Sequence, residues 1–394
     1  MSVTEMIVKT REPYADGAAW GDVGPYEVVR GVVRFAVDPN STANARIVDL
    51  RLVETADGLV RSEADFCIIR PAVDAGARKL IYVVPNRGLI GSVPFSTDIT
   101  QAWGDTTQID AGDGFLLTRG WTIAWCGWQW DVRRDLGGMG FAAPEATRDG
   151  KPIEGQLRVE MRADARFPDH ALSDSSLMFL FENYPTADVD DATAVLTVRD
   201  SIDGPRTVID RGRWRFARAT QEGVVTDAER VWLDVGFEPY RFYELVYRTN
   251  RCPVVGAGLL AIRDFVSFLR AAPSRDGNPC AGTIDHTIGF GVSQSGRVLR
   301  QFLYEGCNID EAGSQVFDGV FAHIAGGRRG EFNHRYAQPS VTSTPGAWRI
   351  ARSPARTRRG AQDVLREHCV GVLARRCRAR AHRPRSRSRR CRRR

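Results

Sequence analysis

GFGVSQSGRVLR, residues 289–300, decides how this chain is read. HTIGFG has the apolar spacing of a buried strand and VLRQFLYEG that of a helix, so Ser293 and Ser295 lie where one gives way to the other. A strand turning abruptly into a helix around Gly-x-Ser-x-small is a nucleophile elbow, whose strained turn lifts one hydroxyl above the sheet edge. The residues two before and two after that serine must be small, because strand and helix backbones approach closely there. Ser293 satisfies this with Gly291 and Ser295; Ser295 would need Arg297 in a small position. Ser293 is therefore the candidate nucleophile, and Ser295 fills the slot behind it. The N–H of Gln294 opens the helix and is the candidate oxyanion donor. A second donor is expected from the loop after an earlier strand, here Asn86, Arg87 and Gly88 after KLIYVVP.

The rest of the chain supplies a frame for that turn. KLIYVVP and WTIAW read as strands covered on both faces, with a short helix expected at GDGFLLTRG between them, so a mostly parallel sheet flanked by helices is predicted. GAGLLAIRDFVSFLR places Leu259, Ile262, Phe265, Val266 and Leu269 on one helical face. In the helix after the elbow, Val298, Leu299, Phe302 and Leu303 are expected to face inward, with Gly306 at its end. VFDGVFAHIAGG reads as one more buried strand. Residues 1–77 read as a β-rich N-terminal region, with strands at YEVVRGVVRFAVDP, ARIVDLRLVE and FCIIRPAV. Residues 78–340 form the expected α/β domain, and about 150–250 of these a β-rich insertion of short alternating segments. WCGWQWD follows its strand where substrate-facing loops emerge, so Trp128 and Trp130 line a pocket or pack in the core.

A competing pattern, Gly256-x-Gly258-x-x-Ala261, opens the long helix, with Asp276 at the distance a ribose-binding acid would take. Asp276 sits in a turn, SRDGNPC, with no apolar second strand before it, so close packing by small residues is the simpler account. The eight cysteines form no CxxC pair, which argues against a zinc site and a disulfide framework. Neither metal nor cofactor is expected. No apolar run is long enough to span a bilayer and the first residues lack signal-peptide character, so a cytoplasmic, non-membrane protein is expected.

The net charge of +7 is unevenly placed: residues 341–394 hold 18 Arg against Asp363 and Glu367, a segment of +16, leaving −9 for residues 1–340. That segment has no aromatic residue after Trp348 to stack on bases, so nucleic-acid binding is the weaker reading of it.

VGPYEVVRGVVRFAVDP, VVPNRG, LLTRGWTIAWCGWQWDV, GFEPYRFYELVYR, GFGVSQSGRVLRQFLYEGCNIDEAG and VFDGVFAHIAGGRRGEFNHRYAQPS follow one another between residues 20 and 340. Together they resemble a bacterial α/β-hydrolase domain family of poorly defined activity, and the elbow is similar to that of glucuronoyl esterases. The resemblance implies the α/β-hydrolase fold, Ser293 as nucleophile, Gln294 as oxyanion donor, and hydrolysis of a small-molecule carboxylic ester. It names neither substrate nor oligomeric state. A family member would continue past Ser340 with further strands, an acid and a catalytic histidine.

The expected triad order is Ser, acid, His. Before residue 341 only His323 and His334 follow Ser293; His323, in an apolar strand, reads as a core histidine, while His334 with Glu331 is a possible base and acid. His368 and His382 lie in the Arg-rich segment. The chain uses 3 Lys against 52 Arg, as GC-rich coding produces, and the abrupt change near residue 340 is what a shifted reading frame would give. The expectation is a serine hydrolase impaired by loss of its acid, its histidine and its last strands. The alternatives are an inactive remnant that binds without catalysis, and a nucleic-acid binder acting through the Arg-rich tail.

Overall fold

The computed structural model describes residues 2–73, 76–90, 92–97, 109–173, 181–327 and 329–340. The first strands are β1 (Val3–Pro13), β2 (Tyr26–Val37), β3 (Val60–Pro71), β4 (Lys79–Val83), β5 (Thr122–Cys126) and β6 (Phe141–Ala142). Next come β7 (Thr147–Arg148), β8 (Lys151–Pro152), β9 (Gly155–Met161), β10 (Phe167–Ala171), β11 (Val195–Arg199), β12 (Thr207–Val208), β13 (Trp214–Thr220), β14 (Gly223–Phe237) and β15 (Phe242–Thr249). Helix α1 (Ala257–Ala271), strand β16 (His286–Val292), helix α2 (Gln294–Tyr304) and strand β17 (Gly319–His323) complete the order.

The main sheet runs β1-β2-β3-β5-β4-β16-β17, with β6 paired to β3. It is mixed rather than mostly parallel. β1, β2 and β3 pair antiparallel, β3 meets β5 antiparallel, and only β5-β4-β16-β17 are parallel. The cause is that the N-terminal strands, read from sequence as a separate β-rich region, hydrogen-bond into this same sheet. ARIVDLRLVE contributes no strand: Asp49 has φ 64° and Leu50–Leu52 coil into a 3-10 turn that buries Leu50. GDGFLLTRG forms a 3-10 turn, Leu117–Arg119, closed by left-handed Gly120, in place of a short α-helix.

Alternate residues of β3, β4 and β5 enter two apolar cores, as strands covered on both faces require. Ile68, Leu80, Tyr82 and Ala124 face α1 and α2, while Cys67, Ile69, Ile81, Ile123 and Trp125 face the other way. Both described α-helices lie on one face, which departs from a sheet flanked by helices. The opposite face is covered by turns: Tyr26 donates its hydroxyl hydrogen bond to the Leu117 carbonyl at 2.8 Å, and Tyr14 to that of Ile109 at 2.7 Å.

Helix α1 was expected to bury one stripe, yet Ala257 through Leu269 are all buried, Arg263 and Asp264 included. Arg263 is neutralised where it stands, bonding Asp264 at 2.7 Å and Asn44 at 2.8 Å. A Cβ on Gly258 would lie 1.9 Å from the Trp128 carbonyl oxygen, so the Gly256-x-Gly258 pattern is accounted for by close packing of this helix.

Strands β9 to β15 fill residues 155–249. They form two antiparallel sheets, β10-β14-β13 and β12-β11-β15-β9. Their apolar faces share one core, joined by Phe216 against Tyr247 (ring centroids 6.0 Å) and Phe237 against Tyr243 (4.8 Å).

Candidate active site

The parallel strands carry the information about position. From β4 the chain crosses to β5 on one side, and after α1 it returns to β16 on the other side of β4 before stepping outward to β17. The strand order therefore reverses between β4 and β16. In open α/β sheets the crevice outside the carboxyl ends of the strands at such a reversal is where ligands bind. The loop leaving β4 is Asn86, Arg87, Gly88, and the turn leaving β16 is Ser293.

Ser293 has φ 56° and ψ −111°, a left-handed conformation that a residue with a side chain adopts at a cost of about 1–3 kcal/mol. What holds it there is backbone on both sides. Its N–H donates to the His323 carbonyl of β17 at 2.9 Å, and its carbonyl accepts from the Arg297 N–H at 3.0 Å, the first hydrogen bond of α2. Close approach allows no larger residue at Gly291, where a Cβ would lie 2.6 Å from both the carbonyl carbon and oxygen of Ser295. Ser293 is exposed, whereas Ser295 is buried, and its hydroxyl has no hydrogen-bond partner among the described residues. The two serines thus stand in different environments.

Gln294 begins α2, where the first backbone N–H groups lack intrahelical acceptors. Its side chain is buried and its amide nitrogen donates to the Pro339 carbonyl. Val84 N–H donates to the Phe290 carbonyl at 3.0 Å, which sets the loop after β4 beside the elbow. In that loop Leu89 N–H closes on the Asn86 carbonyl at 3.0 Å, with Arg87 (φ 54°) and Gly88 (φ 74°) both at positive φ, as in a type I′ turn. Arg87 donates through Nε to the Ser340 carbonyl and through Nη1 to Asn86 Oδ1, each at 3.0 Å. Burial first, and the charge of Arg297 second, pull the Arg87 guanidinium below its ordinary value; the Asp131 carboxylate opposes them.

Sequence reasoning missed the clasp that joins these loops. Asp131 is fully buried and accepts from the Ser340 N–H (2.8 Å) and hydroxyl (2.9 Å), while Gln129 Nε2 donates to that hydroxyl at 2.9 Å. Trp130 Nε1 donates to the Ala337 carbonyl (3.1 Å), as does the Tyr184 hydroxyl (2.7 Å). Trp128 and Trp130 are thus buried core residues whose indoles anchor backbone, Trp128 through the Pro85 carbonyl at 2.9 Å. The signal was the WQWD string itself, two indoles and a carboxylate, whose partners are set by the fold.

The other candidates are distributed differently. His323 is exposed, contrary to the expected core histidine, because β17 is the last strand of the described sheet and its Phe321 and His323 stand on an open face. For the same reason β17 is not a fully buried strand, and Leu303 of α2 is 45% exposed rather than inward. Glu331 is half-buried and accepts from the Gln338 N–H at 3.0 Å. His334 is half-buried, its carbonyl accepting from Ala337 N–H at 3.2 Å. His368, His382 and the whole Arg-rich segment lie outside the described residues.

Among those residues no cluster of His, Cys, Asp and Glu could hold a metal ion, and no helix is long and apolar enough to cross a membrane. The cysteines at 67, 126, 252, 280 and 307 are buried free thiols.

Residues 213–373 match a family model described as an alpha/beta hydrolase domain. That range takes in β13, β14, β15, α1, β16, the turn at Ser293, α2 and β17, and runs past Ser340, where sequence reading ended the resemblance. The Asn86–Gly88 loop lies outside it. No curated protein and no solved structure matches the chain.

Proposed function

We propose that the protein is a serine hydrolase acting on carboxylic esters, with Ser293 as its nucleophile. The match to an alpha/beta hydrolase domain supports hydrolase chemistry in general. The observation that carries the finer reading is the backbone of Ser293: an exposed serine at φ 56° between a parallel strand and a helix, at the point where strand order reverses. Strain at a surface serine, held by backbone hydrogen bonds on both sides, has no packing purpose.

In the proposed reaction Ser293 Oγ attacks the ester carbonyl carbon and passes its proton to a general base. The oxyanion is met by the Gln294 N–H and by donors of the Asn86–Gly88 loop. The carbon–oxygen bond to the alcohol then breaks, the alcohol taking a proton, and water releases the acid from Ser293. His334 is the base nominated within the described residues; Glu331 is its nominated partner, with Oε2 already engaged by Gln338. Without an acid and base, an elbow and oxyanion hole alone sustain a weak rate.

A fluorophosphonate probe, which reacts with activated serines, tests the reading. Labelling of the folded chain that disappears in Ser293→Ala is the expected result; no labelling, or equal labelling of both proteins, defeats it. This reading also takes the Arg-rich segment after Ser340 as a product of frame rather than a nucleic-acid-binding tail, although the family match continues to residue 373. The DNA across codon 340, read in three frames, tests that, and a family-like continuation in none of them refutes it.

A further inference from the structure

Two guanidiniums flank the elbow. Arg87 is the first central residue of the turn after β4, and Arg297 lies four residues beyond Ser293 on α2. Residues four apart share a helix face, and helical side chains lean toward the N-terminus, so Arg297 is directed back over the turn that carries Ser293. Strands β4 and β16 are neighbours, Val83 opposite Phe290, so both arginines belong to the same end of the sheet. The charge of Arg297 is one cause, after burial, that pulls the Arg87 guanidinium below its ordinary value.

Several of the chain's partly buried arginines are satisfied by carboxylates, although Arg211 bonds only the Trp214 and Val189 carbonyls among the described residues. Arg134 takes Asp65 and Glu63, Arg251 takes Glu182 and Glu145, and Arg335 takes Asp49. The Arg297 side chain forms no hydrogen bond or ion pair among the described residues, its backbone N–H alone being engaged, by the Ser293 carbonyl. Arg87 spends Nε on the Ser340 carbonyl and Nη1 on Asn86, and its Nη2 has no partner among those residues. Asp131 is the nearby countercharge, and it is already bonded to the Ser340 N–H and hydroxyl. Two like charges gathered at a nucleophile are unfavourable until an anion joins them. The anion whose geometry matches the planar fork of a guanidinium is a carboxylate.

We infer that Arg87 and Arg297 form a clamp selecting esters that carry a free carboxylate near the scissile carbonyl. The inference rests on Ser293 being an ester-hydrolysing nucleophile, and it extends that reading to a substrate class.

The test compares, in the full chain, 4-nitrophenyl butyrate with mono-4-nitrophenyl succinate, acyl groups of equal length ending in methyl and carboxylate. Arg297→Gln is expected to lower the ratio of their kcat/KM values, succinyl over butyryl, by about 10- to 100-fold, chiefly through KM, as loss of a charge-assisted hydrogen bond would. Arg297→Lys should restore part of that ratio, and rising salt should erode it. A ratio unmoved by Arg297→Gln overturns the clamp. A second arm needs no catalysis: calorimetric binding of succinate to Ser293→Ala, expected to vanish in Ser293→Ala with Arg297→Gln. Succinate binding of this kind with neither ester hydrolysed retires the hydrolase reading and keeps the anion site. Butyrate hydrolysis by the wild type without succinate binding does the reverse.

Discussion

Replacing Gly291 by alanine is the most severe small change the elbow can receive. The new methyl would sit 2.6 Å from the carbonyl carbon and oxygen of Ser295 and 2.9 Å from the Gly296 nitrogen, all backbone. Reaching an ordinary 3.4 Å contact requires α2 to retreat from β16 by about 0.8 Å, since no rotamer relieves the clash. Overpacking of this kind costs about 1–3 kcal/mol, visible as a lower Tm. A displacement near 1 Å at the nucleophile costs on the order of 100-fold in rate. Gly289→Ala, two residues earlier on the same strand, is the control. Its methyl would meet Leu299 Cδ2 and the Phe317 ring edge at 3.3 Å, side chains able to yield a few tenths of an ångström. Fluorophosphonate labelling rate and Tm, measured on both variants, should separate them: Gly291→Ala slow and destabilised, Gly289→Ala near wild type. Wild-type labelling and Tm in Gly291→Ala would refute the close-approach argument for Ser293.

Ser295→Ala removes a buried hydroxyl that has no partner among the described residues, so stability is expected to hold or rise by up to about 1 kcal/mol in denaturant titration, with labelling retained. Loss of labelling in that variant would move the nucleophile to Ser295. Asp131→Ala leaves the Ser340 N–H and hydroxyl without their buried acceptor; a loss of about 2–5 kcal/mol is expected in denaturant titration, with new protease cleavage between residues 331 and 340. His170 is buried with Nδ1 donating to the Ala171 carbonyl at 2.8 Å, and burial holds its imidazole below the ordinary histidine value. The unfolded chain therefore takes up that proton at a higher pH than the folded one. Its contribution is complete above the ordinary value and falls away as pH drops below it. Tm measured from pH 8 to pH 5 should show this slope in the wild type and a flatter one in His170→Gln; parallel profiles would count against it.

The strand, turn and helix around Ser293 were legible because their signal is local. Strand spacing, turn and helix spacing succeed one another between residues 286 and 304, and the small residue at 291 is demanded by contacts only four and five positions away. Strands β4, β5 and β16 were legible for the same reason, as short apolar runs. ARIVDLRLVE misled because alternation of polar and apolar residues also suits a 3-10 turn that drops Leu50 into the core. The burial of Arg263 and Asp264 was not legible, since nothing in their own sequence announces Asn44 as the partner that lets a cation be buried. His323 sits in an apolar run, and its exposure depends on what neighbours β17 across the sheet, a property of topology.

The clasp at Ser340 has a consequence in time. Asp131 and Gln129 reach it across 209 and 211 residues of chain, and Arg87 across 253. Ser293, by contrast, bonds His323, 30 residues on. Long closures form late, because chain entropy is spent before any contact repays it. During synthesis the β4 and β5 loops would emerge, wait through the making of the two insertion sheets and the elbow, and lock only once the ribosome has released residue 340. The turn at Ser293 closes with His323, 17 residues before Ser340, and the clasp around it closes last.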